Sequence, residues 1–599
     1  MLIKKEIIET IALYKTQELL LQKRINVFSN VRLAIFVWGI VLTVVLYRNG
    51  QGTASIISLI ATLAAFFYFV NKQHQAKKKL RRTQCLITIH QNNLDRLGVE
   101  WRQFRDTGAE FRTNDHPYLN DLDIFGEQSL FQLINITNTN VGRQTLRSLL
   151  DNPQKDIGKI QARQKAVKEL SLRGDFIQAL QCAGMLSQGS ARDPKPLIEY
   201  TASEEKLFSR QWIRKGILLL SMTTVAIFLL GLLEVLPFSI LGLFVVCQGL
   251  LTAVGYRKVS AAVDTVHGFR KSIKAYEELL RVVEQQNFQE YELIEMQELL
   301  RGSAGLASQS IKKLEYIAEA IEVRYNMLSY SLLNFLLLWD YHCVFALESW
   351  KKRDGIFLEQ WFSAVGYFEA IASLANLAHL NPTWSFPALT EERLRFDSKM
   401  VGHPLLDAER RVGNDFAIHR GIAIITGSNM SGKTTMLRTV GINLVLAYAG
   451  APVCAEKLTC SVMDIFTSMR ISDDLGSGIS TFYAELLRIK KIIEYSKLER
   501  PMIFLIDEVF RGTNSNDRIT GAFSVLKNLD KNWVMGLVST HDFELCSLEN
   551  DIDIRAVNYH FMERYLDGEI YFDYAIRPGR CYSTNAKYLM QMVGIDLIE

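Results

Sequence analysis

Four strongly apolar runs break an otherwise mixed pattern of hydrophobic and polar positions in this chain of 599 residues. They are Leu33 to Tyr47, Thr53 to Val70, Gly216 to Leu233 and Val235 to Tyr256. The first two are separated only by Arg48-Asn-Gly-Gln-Gly, and the second two by little more than Glu234 and Pro237, so each pair reads as a helical hairpin. The later runs approach or reach the ~18 to 20 residues a membrane-spanning helix needs. The first is shorter, about 15 residues, and spans only with tilt, thinning or snorkelling by Arg32 and Arg48. Elsewhere, Ala261 to Leu300 and Ile311 to Leu338 carry helical spacing and are expected as long lever-like helices. Asn326 to Asp340 is apolar but short and interrupted by polar residues, and reads as a core helix rather than a fifth span. The buried-strand runs Ile422 to Ile425, Met502 to Ile506 and Trp533 to Thr540 cluster at the C-terminal end.

All three of these strands end in chemistry. Ile422 to Ile425 leads into Gly427-Ser428-Asn429-Met430-Ser431-Gly432-Lys433-Thr434-Thr435, which contains a G-x-x-x-x-G-K-[ST] phosphate loop, and Met436 onward has helical spacing. Backbone N–H groups from Ser428 to Lys433 and the helix N-terminus suit phosphate, Lys433 suits the β/γ oxygens and Thr434 suits Mg²⁺. The run Met502 to Ile506 ends in Asp507-Glu508, placing Asp507 for the Mg²⁺ shell and Glu508 for the attacking water. The third strand ends before His541, where a γ-phosphate sensor belongs. Two solvated acids at a strand end and a structural histidine are the plainer readings of the last two features.

The segments between these elements narrow the possibilities. Ile471 to Glu485 (ISDDLGSGISTFYAE), Asp507 to Arg518 (DEVFRGTNSNDR), Ser539 to Leu545 (STHDFEL), Ala447 to Glu456 and Tyr574 to Ile595 together resemble the ATPase domain of the MutS mismatch-repair family. Weaker likeness reaches back to Phe125–Pro153 and to the stretch around Glu369 and Gly402-His403-Pro404, covering about two-thirds of the chain. The resemblance implies an α/β P-loop NTPase domain of ABC type and MutS kind, behind an all-α helical core. It also implies ATP and Mg²⁺ as cofactors and a homodimer in which Ser480 and Thr481 complete the partner's nucleotide site. Ser480 and Thr481 equally suit a plain helix N-cap. An aromatic usually precedes the strand entering the loop in that family, and this chain offers Arg410 or Arg411 instead.

The expected division is residues 1–112, an N-terminal helix with the first hairpin and a basic juxtamembrane helix; 113–209, the first part of the helical core; 210–258, the second hairpin; 259–400, the lever; and 401–599, the ATPase. Basic residues flank both hairpins, including Arg24, Arg32, Lys72, Arg210, Arg214, Lys215, Arg257 and Lys258. The connecting turns hold only Arg48 and Glu234, so the soluble parts and both termini are expected in the cytoplasm of a multi-pass membrane protein. The polar lead before Leu33 is too long for the n-region of a cleavable signal.

Net charge is only +4, which carries no global signature of polyelectrolyte binding. The run Lys77 to Arg82, just beyond a membrane segment, favours anionic lipid headgroups over DNA. The eight cysteines have no C-x-x-C spacing, which points away from a zinc cluster or redox pair. Duplex DNA stands as a candidate partner through the resemblance alone. Mismatch-reading members use an N-terminal Phe-x-Glu element; here Phe125-Gly126-Glu127 spells it at the entry to the helical core, where chance is the expected explanation. Two functions therefore compete: a membrane-tethered DNA-binding ATPase, and the same motor moving membrane segments or a protein partner without DNA. A substrate pump fits less well, since two separated hairpins offer little pathway and no intramembrane charge pair.

Overall fold

The first two apolar runs lie inside much longer helices. In the computed structural model, which describes residues 2–113, 115–186, 193–203, 210–302, 305–470, 481–510, 514–566 and 569–581, helices α1 (Leu2–Arg48) and α2 (Gly52–Leu97) form an antiparallel hairpin. Gly50, at φ +75°, makes the turn that a side chain would strain. Polar contacts stitch the hairpin along its length: Ser55 Oγ donates to Thr43 O at 3.0 Å, and Arg32 donates to Gln73 Oε1 at 2.8 Å. Around these contacts the apolar side chains of the tip point outward, including Trp38, Ile57 and Phe67. The other end of the hairpin is anchored on the core, where Arg96 donates to Leu133 O at 2.9 Å and Asn135 O at 2.7 Å. Burial there pulls the Arg96 guanidinium down to about 10.

The longer helices that follow are α3 (Asn140–Asp151), α4 (Ile157–Ser171), α5 (Gly174–Leu186), α6 (Gln211–Leu232), α7 (Phe238–Glu284), α8 (Ala307–Glu322), α9 (Met327–Leu337), α10 (Trp339–Asp354) and α11 (Leu358–Leu380). Thr139 caps α3 by accepting from Gly142 N, and Asp156 caps α4 by accepting from Lys159 N. Helix α11 is the axis of this region, with Trp361, Phe362, Phe368 and Leu374 buried. Among the described residues, four helices, α1, α2, α6 and α7, are long and apolar enough to cross a membrane.

Both expected levers are interrupted. The stretch Ala261 to Leu300 breaks after Glu284, because the backbone N–H groups of Gln289 and Glu290 turn to the Glu169 carboxylate instead of continuing the helix. The stretch Ile311 to Leu338 breaks at Asn326, whose side chain accepts from Ser329 N and starts α9 afresh. Phe125 is 1% exposed and packs edge-on against Phe111, so its side chain is a piece of core, while Glu127 is exposed.

Among the described residues, ten strands build the C-terminal part: β1 (Ala388–Thr390), β2 (Phe396–Val401), β3 (Asn414–Ile418), β4 (Gly421–Thr426), β5 (Lys457–Ser461), β6 (Asp464–Ser468), β7 (Met502–Asp507), β8 (Val534–Thr540), β9 (Ala556–Leu566) and β10 (Glu569–Pro578). The larger sheet runs β10-β9-β4-β8-β7-β6, parallel except for the antiparallel β9–β10 edge. Strands β4, β7 and β8 are buried throughout, which their unbroken apolar runs require. A smaller sheet, β1-β5-β2-β3, begins at Ala388, ahead of the boundary expected at Val401. Helices α12 (Lys433–Ala449), α13 (Thr481–Ser496) and α14 (Ser515–Leu529) complete this α/β unit.

Candidate active site

The phosphate loop joins β4 to α12 at the carboxyl end of the parallel strands, where open α/β sheets bind ligands. Gly427 sits at φ +147°, and a Cβ there would lie 2.9 Å from both Phe561 O and Ser431 Oγ. Gly432, at φ +110°, ends the loop in a conformation that L side chains rarely adopt. Met430 adopts φ +65° at the exposed crest. The loop is thus held by glycine geometry at both ends, and it leaves Ser431 Oγ buried with no hydrogen bond among the described residues.

Lys433 turns back over the loop, its Nζ donating to Gly427 O and Ser428 O, each at 2.8 Å. The same Nζ lies 3.2 Å from His541 Nε2, and that nitrogen lies 3.1 Å from Glu508 Oε1. Strand register explains the convergence. Adjacent strands β7 and β8 pair Ser539 with Asp507, and β8 pairs Thr540 with Thr426 of β4, so all three strand ends arrive at one level. Glu508 then leaves the strand at φ +57°, with its N–H donating to Ser539 O at 3.0 Å.

Beside this row, Thr434 Oγ1 lies 3.0 Å from each oxygen of Asp507, and Ser539 Oγ donates to Asp507 Oδ1. A threonine hydroxyl and a carboxylate converging from α12 and β7 are the hard oxygen donors that suit Mg²⁺. Together with the loop amides, the Lys433 ammonium and the orphaned Ser431 hydroxyl, the donor set fits a magnesium nucleotide. A cleft of about 460 Å³ opens beside the loop, lined by Asn429, Met430, Thr435, Glu508, Phe561 and Tyr574 among others.

The structure separates the two arginines considered for the base. Arg410 lines the cleft. Arg411 turns away, donating to Leu406 O at 2.7 Å and lying over the Trp384 ring, so it is excluded as a base contact. Tyr574 and Phe561 supply the aromatic surface instead, and Asn414 braces the strand bearing Tyr574 by donating to Tyr574 O at 3.0 Å and accepting from Ile576 N at 2.8 Å. Ser480 lies outside the described residues; Thr481 opens α13, but its side chain is likewise outside them.

Sequence reasoning missed several supports. Ser428 Oγ donates at 2.7 Å to Glu563, buried on β9 at the register shift in its pairing with β10. Glu485, on α13, accepts from Phe510 N at 2.6 Å and so ties that helix to the chain just past Glu508. Arg518 pairs with Asp542 at 2.5 Å, bracing the residue after His541. His403 abuts the cleft, and burial together with Arg438 and Arg411 pushes its imidazole down to about 3. Burial, reinforced by neighbouring Arg470, also pulls the Arg438 guanidinium below its ordinary value. Ser428, Glu485, Phe510, Arg518, Asp542 and His403 fell within quoted motifs and Glu563 and Arg438 did not, but no spacing rule marks any of these contacts.

Residues 423–596 match MutS domain V. This C-terminal part of the chain is similar to the MutS family. It is 35% identical over 213 residues to the DNA mismatch repair protein MutS of Clostridioides difficile, covering 33% of this chain and 22% of that protein. It is 32% identical over 248 residues to the protein of that name from Chloroflexus aurantiacus, covering 40% and 25%. With its namesake from Persephonella marina it shares 33% identity over 238 residues, covering 39% and 27%. The matched region spans about a quarter of the length of these relatives. The match falls within the C-terminal α/β unit, and the helices of the N-terminal half lie outside it.

Proposed function

We propose that this chain binds and hydrolyses ATP with Mg²⁺ at composite sites of a homodimer, anchored in a membrane by its two helical hairpins, and couples nucleotide state to duplex DNA. The observation that carries the ATPase reading is the convergence of Thr434 on Asp507 beside the row Lys433, His541 and Glu508. Loop amides and Lys433 hold the β/γ phosphates, Glu508 orients and deprotonates the attacking water, and His541 senses the γ-phosphate. Bound Mg²⁺ would be held by Thr434 and Asp507 and would neutralise charge on the phosphates. Ser480 and Thr481 of each subunit complete the partner's site. Tyr574 offers a stacking face for the base.

The membrane reading is supported by the outward-facing apolar windows of α1, α2, α6 and α7 and by the basic residues beside them. On α2, Lys77, Lys78, Lys79, Arg81 and Arg82 are exposed past the apolar stretch and suit anionic lipid headgroups. The soluble mass and both termini are then cytoplasmic.

Burial of Phe125 favours a second reading, in which the motor moves membrane segments or a protein partner without DNA, because that side chain has no route to a duplex. ATP turnover by the full chain in nanodiscs separates the two. Turnover abolished by Lys433→Ala and accelerated by duplex in a steeply salt-dependent manner is expected for DNA coupling. Turnover that is lost in Lys433→Ala but indifferent to homoduplex and mismatched DNA would establish the second reading instead.

A further inference from the structure

Helix α9 joins the second hairpin where the hairpin's apolar stretch begins. At its entry, Arg324 donates to Ser260 at 2.5 Å and lies over the Tyr256 ring, which closes the apolar run of α7. At its exit, Leu337 O accepts from Ser221 Oγ of α6 at 2.8 Å, and the Phe335 ring packs beside Gly249 of α7. Tyr256 to Gly249 is about 10 Å along α7 at ~1.5 Å per residue, so α9 climbs roughly a third of a ~30 Å hydrocarbon core. Leu338 then takes φ +50°, and the chain bends by 78° into the next helices. Helix α10 leads back out: the Tyr341 hydroxyl donates to Leu251 O at 2.7 Å, and Arg214, just before the apolar run of α6, donates to Ser349 at 3.3 Å.

Two features suit the tip of this V to lipid. The backbone groups loosened by the bend are satisfied within the protein, Leu337 O by Ser221 and Asp340 N by Asn334 Oδ1 at 3.1 Å, as irregular backbone at membrane depth requires. Leu332 and Phe335 also face outward, Leu332 with 60% exposure, at the level of the outward-facing Leu219, Met222, Val246 and Leu250 of the hairpin. The apolar belt of α6 and α7 therefore continues onto α9, while the polar Asn334 and the Arg324–Asp340 pair point inward.

We propose that residues 327–338 form a shallow re-entrant membrane helix whose outer face contacts the acyl chains of the cytoplasmic leaflet. This rests on the membrane anchoring proposed above. It adds a third element to the second hairpin, and it ties the membrane directly to α10 and α11, the axis of the helical core.

Cysteine labelling in nanodiscs tests it. Cys247 is the exposed cysteine and lies on α7, so Cys247→Ser gives the background. An environment-sensitive fluorophore is placed at Leu332→Cys, at Leu250→Cys as the hairpin reference and at Glu319→Cys as the cytoplasmic reference. Nitroxide lipids labelled near the headgroup or near the methyl end then quench by depth. Loss of fluorescence at Leu332→Cys, stronger with the shallow nitroxide than with the deep one, is the expected result. Quenching at Leu250→Cys with Leu332→Cys as bright as Glu319→Cys would overturn the re-entrant helix and leave the anchor standing. Absence of quenching at both apolar positions would overturn the anchor and the re-entrant helix together.

Discussion

Asp121 receives the Arg488 guanidinium at 3.1 Å, joining a buried carboxylate from outside the matched domain to α13. The same carboxylate accepts from Thr467 Oγ1 at 2.7 Å and from the N–H groups of Met469 and Arg470, each at 3.1 Å. Two residues on, Asp123 pairs with Arg470 and with Arg438 of α12. A short segment at the entry to the helical core thus grips the phosphate-loop helix, the end of β6 and α13. Asp121→Asn keeps the shape but weakens a charge-assisted cluster, a local loss of about 1–3 kcal/mol. Faster hydrogen exchange at Thr467–Arg470 and in α13, with α12 little changed, is the expected outcome. A uniform rise across the whole domain would show that Asp121 supports folding in general rather than this junction.

Glu508 lies where a general base belongs, beyond Asp507 and against His541. Glu508→Gln preserves shape and removes the proton acceptor, so hydrolysis should fall by about a hundred- to ten-thousand-fold while ATP binding is retained. Single-turnover hydrolysis alongside equilibrium binding of a nucleotide analogue measures the two separately. Hydrolysis at the wild-type rate would remove Glu508 from the mechanism.

The convergence of the candidate site residues was legible in the sequence because each member stands at the end of an apolar strand run, and parallel strand register brings such ends together. Lys433, Thr434, Asp507, Glu508 and His541 follow that rule. Glu563 and Asp121 could not be read, since each contacts the site through tertiary pairing across long sequence separations. The hairpins were legible as apolar runs, but their continuation into α1, α2 and α7 was not, because amphipathic helix carries on past the apolar stretch without a stop signal. The lever breaks at Glu284 and Asn326 escaped notice because side-chain capping by Glu169 and Asn326, without glycine or proline, ends those helices.

Tyr574 is the more exposed of the two aromatics lining the cleft, and it arrives on β10, far along the chain from the phosphate loop. Base stacking on an aromatic contributes about 1–3 kcal/mol. Tyr574→Ala should therefore raise KM for ATP by roughly tenfold at little cost to kcat, whereas Tyr574→Phe should stay near wild type. Steady-state kinetics on both variants decides it; unchanged KM in the alanine variant would place the base elsewhere in the cleft.

Phe125 distinguishes a structural role from nucleic-acid reading. It is buried between Phe111 and Phe131, with ring centroids at 5.5 and 5.6 Å. Phe125→Ala should cost about 3–5 kcal/mol of core stability. Greater protease sensitivity of the helical core, with no change in preference between mismatched and matched duplex, is the result expected for a core residue. Loss of mismatch preference at undiminished stability would return Phe125 to the DNA-reading role.

His403 makes the stability of the α/β unit sensitive to acid. Its folded imidazole titrates at about 3 against an ordinary 6.5, because burial and two arginines oppose its protonation. Between those values the unfolded chain binds a proton that the folded chain refuses, so stability is full above the ordinary value and is lost as pH falls below it, by at most about 1.4 kcal/mol per pH unit. Nδ1 of His403 accepts from Leu405 N at 3.3 Å, and an asparagine oxygen can take that place without titrating. His403→Asn should therefore flatten the acid dependence of hydrogen-exchange protection in α12 between pH 6.5 and 4, with protection at neutral pH close to wild type. An acid slope equal in both proteins would assign the sensitivity to another group.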